Sequence, residues 1–269
     1  MDFVYAAVLG VVQGVAEFLP ISSDGHLVIA KALLMAWTGA TVPEWLSGTT
    51  MIIALHFGTL LSIIVVYFPD LLALRHQPRL LLLIFVASIP AAVIGLAFKD
   101  QLEEFFDHTI YAGFGLLVTA CFLIIAKKWQ RGNVDLREMT PSVALVIGVF
   151  QAIAILPGVS RSGGTIASAL VCGVKRPDAA RFSFLIAVPV LGGVTLLKLI
   201  DILKGEVKID GSWQPMLLGA VISFIVGVLC LKLLIRLVVA DRLHWFAVYC
   251  LIAGVLTIAW QSGAFGAVP

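Results

Sequence analysis

Charged residues are scarce in this chain of 269 residues. Asp, Glu, Lys and Arg make up 13% of it, against roughly 25% in soluble globular proteins, whereas 61% of the chain is hydrophobic. A soluble fold cannot keep that much apolar surface away from water. The apolar residues also form blocks long enough to cross a bilayer, which predicts a single, all-α polytopic membrane domain over residues 1–269.

Paired cysteines and recognisable cofactor motifs are lacking as well. The four cysteines lie singly inside apolar runs, which is typical of small packing residues. No residue spacing matches a zinc site, a Walker loop, a Rossmann fingerprint or a haem motif. Basic residues lie between apolar runs rather than in one patch, so we expect no nucleic-acid partner and no organic cofactor.

Polar residues interrupt the apolar sequence at two places. The first break reads Gln13-Gly-Val-Ala-Glu17-Phe-Leu-Pro-Ile-Ser22-Ser23-Asp24-Gly25-His26. The second reads Pro157-Gly-Val-Ser160-Arg161-Ser162-Gly163-Gly164-Thr165. Irregular backbone is tolerated at membrane depth only where protein or a wet cavity satisfies it. The flanking apolar runs are too short to span a core of about 30 Å, so the sequence predicts two re-entrant helical hairpins, from the runs 3–18 and 26–36 and the runs 142–156 and 165–174.

Six longer apolar runs are predicted to be full spans, and their order indicates a duplication. Each hairpin is followed by three spans, and a shift of 138 residues places Ser22–Gly25 on Ser160–Gly163. Because three is an odd number, the second repeat must be inverted in the membrane. The repeats would cover about 1–130 and 140–269, with spans near 48–68, 80–98, 110–127, 182–200, 215–235 and 245–261.

The distribution of basic residues predicts the orientation. Lys and Arg accumulate in 69–80, 127–141 and 232–244, whereas 99–109 carries four acidic residues against Lys99. The positive-inside rule places the first three loops in the cytoplasm and the last one outside. Both termini are then outside, and the first hairpin enters from the outer face.

Arg161 is the residue of the second break that most needs an explanation. An arginine at membrane depth costs roughly 2.5–3.5 kcal/mol, so it requires an anionic partner or a wet cavity. One interpretation is an internal ion pair with Glu17 or Asp24. The other is an oxyanion pocket for phosphate, because the guanidinium suits phosphate oxygens and the Ser- and Gly-rich helix starts favour anions.

The first break supplies candidate catalytic groups. Glu17 follows Gln13 by four residues, so both side chains share one helix face. A carboxylate there can take a proton or hold a divalent cation beside phosphate. His26 lies one turn beyond Ser22 and Ser23, where it could activate a hydroxyl or attack phosphorus itself.

Each candidate also has a structural interpretation. One of Ser22 and Ser23 is expected to cap the returning half-helix. His26 could be a packing residue, and the sole role of Asp24 could be to add negative charge to the first helical turn. His56, inside the predicted span 48–68, either lines the same cavity or packs within the bundle.

At these residues the sequence resembles the bacterial undecaprenyl-diphosphate phosphatase family of the bacitracin-resistance type. The family's motifs read Glu-Gly-x-x-Glu-Phe-Leu-Pro-x-Ser-Ser-x-Gly-His and Pro-Gly-x-Ser-Arg-Ser-Gly-x-Thr, and they match the two breaks. The segment Phe182–Pro189 also resembles the family, and the resemblance covers the whole chain. One residue departs from it, since many members have glutamate where this chain has Gln13.

The resemblance implies hydrolysis of undecaprenyl diphosphate to the monophosphate plus phosphate, at a site open to the outer face of the bacterial cytoplasmic membrane. That reaction recycles the lipid carrier for peptidoglycan synthesis and confers bacitracin resistance. The implied catalytic residues are Glu17, Ser23, His26 and Arg161. The implied phosphate-binding residues are Ser22, Ser160, Ser162, Gly163, Thr165 and Gln13.

The implied partners are the polyprenyl diphosphate, membrane lipids and a second copy of the chain in a homodimer. Mg²⁺ or Ca²⁺ is expected at Glu17, which lacks a second glutamate beside it. The main alternative is a transporter of the lipid monophosphate or of a small anion, because inverted repeats with a midplane anion site are also a transporter architecture.

Overall fold

The computed structural model describes residues 2–38, 48–98, 105, 108–205 and 212–263, with backbone only at 36–38 and 49. Nearly all of these residues are helical. A short 3₁₀ turn (Leu74–His76) is also present. The described α-helices are α1 (Asp2–Ala16), α2 (Ser23–Thr38), α3 (Thr49–Val66), α4 (Phe68–Ala73), α5 (Pro78–Ala97), α6 (Thr109–Trp129), α7 (Pro141–Ile153), α8 (Arg161–Val171), α9 (Arg176–Leu203), α10 (Trp213–Val239) and α11 (His244–Gln261).

Both predicted breaks separate pairs of short helices. The first lies between α1 and α2, where Pro20 lacks the N–H that a continuing helix needs and Ser22 has a left-handed φ of 70°. The second lies between α7 and α8 and contains Pro157 and Gly158, whose φ is 86°. Since α1 has 15 residues and α7 has 13, they are about 22 and 20 Å long, shorter than a hydrocarbon core.

The prediction of a polytopic helical membrane protein is confirmed at this level. Within the described residues, five helices are long and apolar enough to cross a membrane: α5, α6, α9, α10 and α11. The predicted span 48–68 corresponds to α3, which bends by 70° into α4 and the 3₁₀ turn and makes a sixth span if the bent pair is counted as one. Most of loop 99–109, whose acidic residues decide the orientation, lies outside the described residues.

Small residues allow the helices to approach closely. α1 packs along α10, α7 packs along α5, and α6 packs along α11. A Cβ on Gly10 would lie 2.7 Å from the Gly219 carbonyl oxygen, and one on Gly148 would lie 2.4 Å from that of Ala87. Such contacts are typical of membrane helices, which associate through backbone approach rather than through hydrophobic exclusion from water.

The main core lies where α8 meets the first half of α9. Phe182 and Phe184 are completely buried there, as is Ile166. The outward helix faces instead leave large apolar side chains exposed, such as Phe85 and Leu229, as expected for surfaces in contact with lipid. The polar tips of the two hairpins therefore rest on a packed apolar base.

Candidate functional site

The tips of the two hairpins are in direct contact. A Cβ on Gly25 would lie 2.8 Å from the Cα atom of Gly158. Thr119 on α6 holds the second tip, since its hydroxyl donates to the Gly158 carbonyl at 3.0 Å and accepts from the Ser160 N–H at 2.8 Å. The structure therefore brings the two breaks together in one polar site.

Glu17 is the centre of this site. Its side chain is only 4% exposed. Oε2 accepts hydrogen bonds from the Ser23 hydroxyl at 2.7 Å and from the Gln13 amide at 3.2 Å, while Oε1 forms an ion pair with Arg161 Nη2. Gln13 and Glu17 share one helix face, as their spacing predicts. Removing one partner of such a buried ion pair typically lowers the free energy of unfolding by about 3–5 kcal/mol, because the other charge is left uncompensated.

Arg161 makes the internal ion pair and retains a free donor. Its guanidinium carbon lies 5.7 Å from the ring centroid of Phe184, in a cation–π contact. Nη1 is buried and has no hydrogen-bond partner among the described residues. The two interpretations of Arg161 are therefore compatible, because one nitrogen binds Glu17 while another can donate to an anion.

Two serines cap the half-helices at equivalent positions. The Ser22 hydroxyl accepts from the Gly25 N–H at 3.3 Å, and the Ser160 hydroxyl accepts from the Gly163 N–H at 3.0 Å. Ser22 is thus the capping serine that the sequence predicts, and Ser23 is left to pair with Glu17. Both caps direct helix N-termini, which favour negative charge, toward the site.

The other hydroxyls of the second tip are bonded within the protein. Ser162 lies 3.2 Å from the Ser160 hydroxyl and 3.4 Å from the Leu19 carbonyl. Thr165 donates to the Arg161 carbonyl at 2.8 Å and lies 2.5 Å from the Ser183 hydroxyl. A phosphate would have to replace some of these bonds. Phosphate contacts therefore remain predictions for Ser22, Ser160, Ser162, Gly163 and Thr165.

His26 uses both ring nitrogens. Nδ1 lies 2.8 Å from the Ser22 carbonyl oxygen, and Nε2 lies 2.6 Å from the hydroxyl of Tyr249 on α11. The two rings are stacked with their centroids 5.7 Å apart. Sequence reasoning missed Tyr249, because a single tyrosine inside an apolar span gives no local signal.

His56 lies at the edge of the same site. Its Nδ1 is 2.9 Å from the Ile52 carbonyl oxygen. Its Nε2 is 3.9 Å from Glu17 Oε2 and 3.7 Å from Asp24 Oδ1. Of the two interpretations that the sequence leaves open for His56, the structure favours the lining of the site. Asp24 therefore faces the His56 ring, in addition to placing negative charge in the first turn of α2.

A divalent cation has few ligands at this site. Within the residues that the structure describes, no cluster of three or more His, Cys, Asp or Glu side chains is arranged to hold a metal ion. Gln13 Oε1 is buried and has no hydrogen-bond partner among the same described residues. An amide oxygen of this kind is a ligand that Mg²⁺ and Ca²⁺ accept. Gln13 and Glu17 therefore fit a cation whose remaining ligands come from phosphate oxygens and water.

The fold and the site together define a polytopic membrane protein in which a hydroxyl, a carboxylate and a guanidinium meet between two helical hairpins. The chain belongs to the family described as bacitracin resistance protein BacA, whose model matches residues 6–256.

Similar proteins come from both bacteria and archaea. The chain is 40% identical over 258 residues to an undecaprenyl-diphosphatase of Rhodopirellula baltica, covering 96% of this chain and 97% of the relative. It is 36% identical over 282 residues to an undecaprenyl-diphosphatase of Methanosphaera stadtmanae, with 96% and 98% coverage. An undecaprenyl-diphosphatase of Korarchaeum cryptofilum is also 36% identical, over 279 residues with 96% and 99% coverage.

Proposed function

We propose that this protein hydrolyses undecaprenyl diphosphate to undecaprenyl phosphate and inorganic phosphate. The observation that carries the proposal is the contact of Ser23, Glu17 and Arg161 at the junction of the two hairpins. A hydroxyl bonded to a carboxylate is a nucleophile–base pair, and the adjacent guanidinium is suited to phosphate. The names of the relatives at 36–40% identity supply the substrate.

Ser23 is the proposed nucleophile. Its hydroxyl donates to Glu17 at 2.7 Å, within the distance that proton transfer to a base requires. The Ser23 oxygen attacks the terminal phosphorus, Glu17 takes the proton, and the anhydride bond to the lipid monophosphate breaks. Water then attacks the phosphoserine, gives its proton to a base and releases phosphate. His26 is less suited to attack phosphorus, because both ring nitrogens are already hydrogen-bonded.

Arg161 and the two helix N-termini stabilise the transferring phosphoryl group. Nη1 of Arg161 supplies the donor that has no partner among the residues the structure describes. Losing one such preorganised donor typically costs about 10²–10³ in rate. Mg²⁺ or Ca²⁺ held by Glu17 and Gln13 would add positive charge beside the phosphate oxygens.

The proposed topology is an inverted repeat with six spans, the bent α3–α4 pair being one of them. The helix packing supports it. The duplication relates α1 to α7 and α10 to α5, and α1 packs along α10 as α7 packs along α5. Gly10 against Gly219 and Gly148 against Ala87 are corresponding close contacts.

The proposed orientation follows from the basic loops. With 69–80, 127–141 and 232–244 in the cytoplasm, the site opens to the outer face and both termini lie outside. The protein would then act in the bacterial cytoplasmic membrane, recycling the carrier for peptidoglycan synthesis. Apolar outer faces permit a homodimer, which cross-linking in membranes would test.

Phosphate release from undecaprenyl diphosphate in detergent tests the function. Micelles have no two sides, so release there measures hydrolysis and not transport. We expect Ser23→Ala to reduce the rate by about 10³-fold or more, since it removes the nucleophile. Ser88→Ala is the matched control, because the Ser88 hydroxyl donates only to the Ile84 carbonyl on α5. A Ser23→Ala protein with the wild-type rate would contradict the mechanism, and a wild-type protein that releases no phosphate would contradict the function.

A further inference from the structure

Among the described residues outside the hairpins and α3, only Tyr249 forms a side-chain hydrogen bond with a candidate catalytic side chain. It lies on α11, and its hydroxyl is 2.6 Å from His26 Nε2. The two rings are tilted by only 18°. The same side chain is 43% exposed, so it is not fixed by burial alone.

The contacts of His26 define its tautomer. The Ser22 carbonyl can only accept a hydrogen bond, so Nδ1 must carry the hydrogen. In the neutral ring Nε2 is then an acceptor, and the Tyr249 hydroxyl donates to it. If the hydrogen moved to Nε2, Nδ1 would direct a lone pair at the Ser22 carbonyl oxygen.

The bond from His26 to Ser22 supports an unusual piece of backbone. Ser22 has a φ of 70°, a left-handed conformation that non-glycine residues rarely adopt. Its carbonyl accepts from the His26 ring and also from the His26 backbone N–H at 3.2 Å. The next residue is Ser23, whose hydroxyl must point at Glu17. The orientation of the Ser22 peptide therefore affects the aim of the nucleophile.

We propose that Tyr249 is a positioning residue for this site: its hydroxyl donates to Nε2 and holds the His26 ring against the Ser22 carbonyl, His26 braces that carbonyl, and the brace aims Ser23 at Glu17. The proposal rests on the proposed function, because it assumes that Ser23 attacks phosphorus. It adds α11 to a site whose candidate catalytic side chains all come from the two hairpins.

Tyr249→Phe tests the proposal, because it keeps the stacked ring and removes only the hydroxyl. We expect kcat for phosphate release to fall by about tenfold, the usual scale for one lost hydrogen bond to a site group, with KM within about twofold of wild type. Tyr111→Phe is the matched control, since Tyr111 has a similar exposure of 40% and its ring packs against the rings of Phe105 and His108, away from the site. It should keep the wild-type kcat.

Nitrogen NMR of the histidine-labelled protein at alkaline pH gives a readout that a merely structural role would not change. In the wild type, His26 should show a protonated Nδ1 and an unprotonated Nε2. In Tyr249→Phe, the Nε2 resonance should shift, because Nε2 loses its hydrogen-bond donor.

An Nε2–H tautomer in the wild type would overturn the proposal without any variant. A Tyr249→Phe protein with unchanged kcat, or with reduced kcat but an unchanged His26 spectrum, would also overturn it. These outcomes are distinct from a failure of the proposed function, which would appear as a wild-type protein that releases no phosphate, and from a failure of the Ser23 mechanism, which would appear as full activity in Ser23→Ala.

Discussion

Gly115 allows the geometry of the site to be perturbed without changing any group that would touch substrate. It lies on α6, directly behind the second tip. A Cβ at this position would be 2.2 Å from the Pro157 carbonyl oxygen and 2.7 Å from the Gly158 Cα atom. Gly115→Ala must therefore displace the tip that carries Arg161.

The size of the displacement can be read from these distances. Real Cβ contacts are essentially never shorter than 3.0 Å, so the Pro157 carbonyl must move by about 0.8 Å or α6 must withdraw by as much. A misplacement of about 1 Å can cost about 10² in rate when catalysis depends on alignment. Stability should suffer less, because alanine is about 1 kcal/mol more favourable than glycine within a helix.

The assay is phosphate release from undecaprenyl diphosphate by purified protein, together with the melting temperature in the same detergent. Gly193→Ala on α9 is the matched control, because among the described residues no other part of the protein lies within 4 Å of its added Cβ, apart from the adjoining backbone of α9. We expect the control to keep the wild-type rate and Gly115→Ala to lose about 10²-fold. A folded Gly115→Ala protein within about threefold of wild type would refute the reasoning that the alignment of the two tips controls catalysis.

Two further predictions concern Phe184, which lies under Arg161, and Asp241, which follows the end of α10. Phe184→Leu removes the ring under Arg161 while keeping an apolar side chain. Because a cation–π contact is worth about 0.5–2 kcal/mol, the rate of phosphate release should fall by up to about 30-fold. Phe85→Leu, on the outer face, should have no effect. Asp241 bonds to Gln130 at 2.9 Å and to Lys127 at 2.5 Å, and it pairs with Arg176 at 3.1 Å. Burial alone would raise the pKa of Asp241, but these partners outweigh it and lower the pKa below the usual aspartate range. The stabilisation is therefore present above the ordinary aspartate pKa and is lost as the pH falls through the lowered one. Asp241→Asn should melt below wild type at neutral pH and converge with it in acid; a constant difference across that range would count against the ion-pair explanation.

The hairpins and the central ion pair could be predicted because membrane physics penalises the alternatives. Pro20 and Pro157 lack the N–H that a continuing helix needs, and an arginine at membrane depth requires an anion. These constraints act locally, so a single sequence reveals them. The start of α2 at Ser23 is of the same kind, because it follows from the cap that the sequence predicts at Ser22 or Ser23.

The supporting residues could not be predicted because their roles depend on how helices cross. Thr119 and Tyr249 lie in apolar spans, where one polar residue has no distinctive spacing. Tyr249 meets His26 across 223 residues of sequence, and Thr119 meets Ser160 across 41. The sequence left His56 between two roles for the same reason, since only the packing shows which side chains its ring faces.

The central claim is that the two hairpins form one catalytic unit, and a double-mutant cycle on Glu17 and Arg161 tests it most directly. The measured quantity is kcat/KM for phosphate release by Glu17→Gln, Arg161→Ala and the double variant, each checked for folding in detergent. We expect each single change to cost about 10³ or more and the double variant to be no more than about tenfold worse, because groups that act as a unit are strongly non-additive. Effects that multiply, or a single variant that keeps the wild-type rate, would contradict the account.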